Sequence, residues 1–133
     1  MTLLTAARNT PMRENADLEE HPVKGGMKLY QGALVCLDAG WAVPGRAGVN
    51  LVTIGCAQNA AAPVADGGDT VRVRRGVHRY ANSSGADQVT RAAIGKPVYV
   101  VDDQTVALTD GAGTRSVAGK ARDVDAQGVW IET

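Results

Sequence analysis

The sequence predicts an all-β protein: a small jelly roll, β-sandwich or barrel of about eight short strands, preceded by an extended N-terminal arm. Three observations carry this expectation. Residues 94–133 fall into four β-branched runs cut by Asp, Gly and Gln turns. Residues 70–80 alternate, with Val71 and Val73 directed one way and Arg72 and Arg74 the other. The 16 glycines recur at the breaks between apolar runs, where turns need them.

The arm is residues 1–27. Leu3–Ala7 is weakly apolar, and the stretch after it is polar, aperiodic and interrupted by Pro11 and Pro22. Each proline biases the residue before it, Thr10 and His21, toward extended backbone. Asn15 is placed to cap a turn of helix through Glu20, which Pro22 would end. With three basic residues (Arg8, Arg13, Lys24) and four acidic ones (Glu14, Asp17, Glu19, Glu20), the arm is no electrostatic tether. It is expected either to be disordered or to order on a neighbouring subunit.

Gly25-Gly26 joins the arm to a single β-domain, residues 28–133. Lys28–Asp38 reads as a strand with a break near Gly32, and Ala39-Gly40 turns it into Trp41–Val43. Val49–Ala57 is strand-like, Gln58–Pro63 is a small-residue loop, and Asp66–Asp69 is a turn. Gly76 breaks the alternation of Thr70–Tyr80 and is expected to be a bulge. Asn82–Gly85 is loop, and Asp87–Ala93 suits a single helical turn.

Composition limits what the chain does. At 133 residues and 44% apolar it can bury a core, but it has no Phe and only 4% aromatic residues. Small side chains each remove little area from water, at roughly 25 cal/mol per Å². Part of the stability is therefore expected from an oligomer or partner. Lys+Arg and Asp+Glu are both 14, which argues against a general nucleic-acid binder. No apolar run reaches the ~18–20 residues of a membrane span. The N-terminal sequence lacks the pattern of a signal peptide, so synthesis in a cytosol is expected, with Cys36 and Cys56 as buried free thiols.

No catalytic set assembles. His21 and His78 are the two histidines, and Ser83, Ser84 and Ser116 lie in loops without a nucleophile elbow. Gly95-Lys96 and Gly119-Lys120 lack the upstream glycine of a phosphate loop, and Gly111–Ser116 lacks the third glycine of a dinucleotide loop. Asp123–Gly128 begins like a calcium loop but has no bidentate Glu at its end. The sequence therefore predicts no enzyme, no cofactor and no metal. The one basic cluster is Arg72, Arg74, Arg75 and Arg79, which reads as a solvated strand face or as a patch for an acidic partner.

Several segments carry a resemblance. They are Arg8-Asn9-Thr10-Pro11, Val23–Gly26, Leu29–Val35, Gly40–Pro44, Asp69–Val77, Ile94–Asp103 and Gly128–Ile131. Together they resemble the capsid cement (decoration, head-stabilising) proteins of tailed bacteriophages, over most of the chain, through turn and strand patterns. The resemblance implies a structural virion protein on the outer capsid surface, made in the host cytoplasm. Its partners would be the major capsid protein and itself, as a homo-dimer or homo-trimer, with no nucleic acid and no membrane. The expected capsid contacts are Arg8, Asn9, Thr10, Pro11 and Arg13 in the arm, with Arg72 and Arg74 on the body. The competing expectation is a small non-enzymatic binding module, such as a fibre-tip or carbohydrate-binding domain. A cupin-type enzyme would need several His ligands that two distant histidines do not supply.

Overall fold

The computed structural model describes residues 2–133. Its strands are β1 (Leu18–Pro22), β2 (Leu34–Asp38), β3 (Trp41–Pro44), β4 (Leu51–Ala57), β5 (Thr70–Arg74), β6 (Val77–Tyr80), β7 (Pro97–Val100), β8 (Val106–Ala107), β9 (Val117–Asp125) and β10 (Gly128–Glu132). They form two antiparallel five-stranded sheets, ordered β1-β5-β4-β2-β3 and β6-β10-β9-β7-β8. The fold is all-β, as expected, and is a β-sandwich. Neither sheet closes into a barrel. A jelly roll would alternate its strands between sheets, whereas here the first five strands make one sheet and the last five the other.

Chain crossing between the sheets happens at Gly76. This residue is therefore not the bulge expected from the sequence: β5 ends in the first sheet at Arg74, and β6 begins in the second at Val77. The bulges lie elsewhere. Ile54 is the extra residue between the pairs Val35↔Gly55 and Cys36↔Thr53. Ala118 and Arg122 interrupt the pairing of β9 with β7 and with β10. Each bulge strengthens local twist.

The second sheet has one core face. Val98, Val100, Ala118, Ala121, Val129 and Ile131 are all nearly or fully buried there, against Leu34, Cys36, Val43 and Leu51 of the first sheet. The first sheet is buried on both faces only around β2; at β5 the face that carries Thr70 and Arg72 is exposed. Val35, Ala42, Ile54, Val71 and Val73 pack against Val23, Leu29, Ala33 and Ala61, which come from the loops before β2 and after β4. Burial on both faces makes Leu34-Val35-Cys36 a continuous apolar run, and burial on one face makes Thr70–Arg74 alternate. At roughly 1.5–3 kcal/mol for each fully buried Val, Leu or Ile, these two cores oppose the entropy of ordering the chain.

Local expectations fail where tertiary pairing competes. Lys28–Ala33 is no strand; it forms the lid of the second core, through Leu29 bridged to Ala61. In place of one helical turn there are two short 3₁₀ turns, Gly85–Asp87 and Arg91–Ala93. Between them Val89 enters the core, because Asn82 both donates to its carbonyl (2.8 Å) and accepts from its N–H (2.9 Å).

The largest difference lies in the arm. Leu18–Pro22 is not the end of a capped helical turn but an edge strand, paired in register with β5 from Leu18↔Arg74 to Pro22↔Thr70. The free arm is thus residues 2–17, all exposed, and residues 18–27 belong to the sandwich.

Candidate functional site

The arm is rooted by ion pairs. The Arg74 guanidinium bonds the Asp17 carboxylate, and Arg75 Nε donates to Glu19 Oε2 at 2.6 Å. The Arg75 N–H also donates to the Asp17 carbonyl at 2.7 Å. His21 Nε2 lies 2.8 Å from the other Glu19 oxygen. The Arg75 guanidinium holds the Glu19 carboxyl below its ordinary value, outweighing the burial that pushes it up. Alternation in β5 places Arg74 beside the arm, and acidic residues at 17 and 19 meet it there.

The residues singled out from the sequence separate into three settings. Arg8, Asn9, Thr10, Pro11 and Arg13 lie in the exposed arm. Arg72 is exposed on the sheet opposite Glu20, and among the described residues its side chain has no hydrogen-bond partner. Arg74 is different: its charge is engaged by Asp17, so it anchors the arm and does not present a free cation. Arg79 lies over the Trp130 ring, 5.5 Å from its centroid.

Two open surface depressions flank this framework. One, of about 370 Å³, is lined by Tyr30, Gln31, Gly32, Ala33, Asp103 and Gln104. Tyr30 is 58% exposed, with Lys28 Nζ 4.9 Å from its ring centroid. The other, of about 350 Å³, lies where the two sheets meet, between β4 and β9, with Glu132 and Thr133 at its side. Its origin is topological. β5 pairs with β4 only through Cys56↔Arg74 and Ala57↔Val73 before leaving for the other sheet. The outer edge of β4 at Leu51–Ile54 is left without a strand partner. Likewise β10 pairs with β9 only from Lys120 onward, leaving one edge of Val117–Gly119 free.

Side chains stitch these two edges together. Thr53 Oγ1 donates to the Val117 carbonyl at 2.7 Å. Ser116 Oγ accepts from the Leu51 N–H at 3.1 Å and donates to the Gly48 carbonyl at 2.7 Å. Val52 and Val117, on either side, remain 59% and 46% exposed. Sequence reading missed this groove, because a missing strand partner leaves no mark in local composition.

Two polar side-chain atoms of β6 are enclosed. The Tyr80 hydroxyl and His78 Nδ1 are enclosed without a hydrogen-bond partner. Burial, with the neighbouring Cys56 and Cys36 thiols, pushes the Tyr80 phenol far up. Burial, aided by Arg74, lowers His78. Cys36 and Cys56 are both buried free thiols, raised by burial. Among the described residues no group of three or more His, Cys, Asp or Glu side chains is placed to hold a metal ion. No helix among them is long and apolar enough to cross a membrane. No family model, curated protein or solved structure matches this chain.

Proposed function

We propose that this chain is a capsid cement protein of a tailed bacteriophage, binding the outside of the shell at junctions between major capsid protein subunits. The observation that carries the reading is the arm. Residues 2–17 are exposed along their whole length, yet the base is held to the sandwich by the Asp17 and Glu19 ion pairs. A rigid body with a firmly rooted, fully exposed arm suits attachment along a surface wider than itself. The resemblance of the arm and strand segments to decoration proteins points the same way.

In this reading Arg8, Asn9, Thr10, Pro11 and Arg13 lie along the shell, and Arg72 adds a free charge on the body. Attachment through several linked copies multiplies weak individual contacts into strong avidity. The test is co-sedimentation with shells that lack the protein, before and after expansion. Saturable binding to expanded shells, at a fixed ratio to capsid protein, is expected. Binding to neither shell would remove the reading.

One observation favours a binding module instead. The exposed Tyr30 ring beside Gln31, Asp103 and Gln104 is the kind of surface on which a sugar ring stacks and hydrogen-bonds. A glycan array that shows binding abolished by Tyr30→Ala would favour it.

A further inference from the structure

We propose that the sandwich is an internal duplication: residues 18–74 and 77–132 are two copies of one five-stranded unit, fused in tandem. The inference stands apart from the cement reading. Its first support is topological. Adding five to each strand number in the first sheet, β1-β5-β4-β2-β3, gives the second, β6-β10-β9-β7-β8. Strands adjacent in sequence commonly pair, so the shared non-sequential pairs, β1 with β5 and β2 with β4, and β6 with β10 and β7 with β9, carry the information. In each unit the residue after the leading strand also makes a parallel bridge at the third: Val23 to Ala42 in β3, and Ala81 to Thr105 beside β8.

Register makes the correspondence residue-specific. β2 and β4 pair through Val35↔Gly55 and Cys36↔Thr53, which leaves Ile54 over. β7 and β9 pair through Val98↔Gly119 and Tyr99↔Val117, which leaves Ala118 over. Each bulge thus falls one residue before a glycine. A Cβ at Gly55 would strike the Arg74 carbonyl, and one at Gly119 the Glu132 carbonyl. These are matching atoms, because Cys56 pairs with Arg74 as Lys120 pairs with Glu132. The turn before the second strand repeats as well. The Gly32 N–H donates to the Ala57 carbonyl at 2.9 Å, and the Ala57 N–H to the Ala33 carbonyl at 2.8 Å. The Gly95 N–H donates to the Ala121 carbonyl at 2.8 Å, and the Ala121 N–H to the Lys96 carbonyl at 3.0 Å. Gly32 and Gly95 share a left-handed backbone, φ +93° and +89°.

Packing follows the same correspondence. Val35, Ala42, Ile54, Ala57, Val71 and Val73 enter one core cluster. Their equivalents by register, Val98, Val106, Ala118, Ala121, Val129 and Ile131, all enter the other. Outward positions diverge because their surroundings differ. The first unit turns Leu34, Cys36 and Leu51 onto the core of the second. The buried Cys36 and Cys56 therefore correspond to a half-buried Tyr99 and an exposed Lys120. Few identities survive in the sequence: Gly-x-x-Val at 32–35 and 95–98, and Gly-x-Ala at 55–57 and 119–121. Only Arg75 and Gly76 separate the copies, so the arm has no counterpart ahead of the second and is an addition to a repeated body.

The experiment is solution NMR of the full chain, combining amide hydrogen exchange with cross-strand contacts. Gly32 and Gly95 lie in turns outside every strand. Both amides are expected to exchange at least about a hundredfold more slowly than that of Gly113, whose N–H has no acceptor among the described residues. Cross-strand contacts are expected to leave Ile54 and Ala118 as the unpaired residues of their strands. A Gly32 or Gly95 amide exchanging at the Gly113 rate would overturn the duplication, as would a β9 bulge displaced from Ala118. No shells are used, so either result is independent of whether the protein cements them.

Discussion

Gly119 offers the most demanding test of the packing between β9 and β10. A Cβ at this position would lie 2.4 Å from the Glu132 carbonyl oxygen and 2.7 Å from Ile131 Cγ2. Its backbone is not in the left-handed region, so Gly119→Ala adds no conformational strain and the effect is steric alone. The carbonyl belongs to a strand paired on both sides, with β9 and β6, and cannot rotate away. Relief requires β10 to move by roughly 1 Å, which overpacking data place at about 1–3 kcal/mol. With an unfolding entropy of ~2.1 cal/mol/K per residue, a loss of about 2 kcal/mol lowers Tm by about 7 °C. The assay is thermal unfolding followed by far-UV circular dichroism. Gly113→Asn is the control: Gly113 has φ +82°, which Asn tolerates, and nothing lies within 4 Å of its Cβ position. A Gly119→Ala variant that melts within about 1 °C of the parent would refute the close approach of β10 and the register that creates it.

Other substitutions and conditions have signed outcomes. Deleting residues 2–13 should leave the melting temperature unchanged but abolish co-sedimentation with expanded shells; undiminished binding would end the arm's role. Deleting residues 1–22 instead removes β1 and bares the β5 edge, and self-association in analytical ultracentrifugation is the expected result. Tyr80→Phe deletes a buried hydroxyl that has no partner, so stability should hold or rise. A fall of more than about 4 °C, near 1 kcal/mol, would mean the hydroxyl is satisfied in solution. Acid should weaken the fold in two windows. His78 lies below its ordinary 6.5, so stability is full above that pH and declines as protonation is forced on a half-buried ring. Glu19 lies below its ordinary 4.5, so its contribution is present above that pH and lost as pH falls through the folded value. Melting curves from pH 7 to 3 should show His78→Gln flattening the upper window and Glu19→Gln the lower.

Much of the sandwich was legible because its strands follow local rules. Leu51–Ala57 and Thr70–Arg74 fall inside runs that read as strands, and Trp41–Pro44 extends the run Trp41–Val43 by one residue. The four C-terminal runs became β7 to β10, since β-branched residues and Gly turns decide these locally. The edge strand β1 was not legible. Asn15 to Glu20 has the look of a capped turn, and only Arg74 and Arg75, more than fifty residues away, make Asp17 and Glu19 strand residues. The cluster at residues 72–75 was visible as charge, but its division was not: Arg72 remains free on the sheet while Arg74 and Arg75 hold the arm.

The sequence by itself determined the all-β class, the neutral charge, the buried thiols and the presence of a polar arm. These follow from residue type and spacing within short windows. Only the tertiary structure decided where the arm ends, that Gly76 carries the chain between sheets, and that β4 and β9 each keep a free edge. Those features depend on which strands find partners and where a partner leaves. Pairing between distant residues sets them, and no local pattern records a hydrogen bond that is not made.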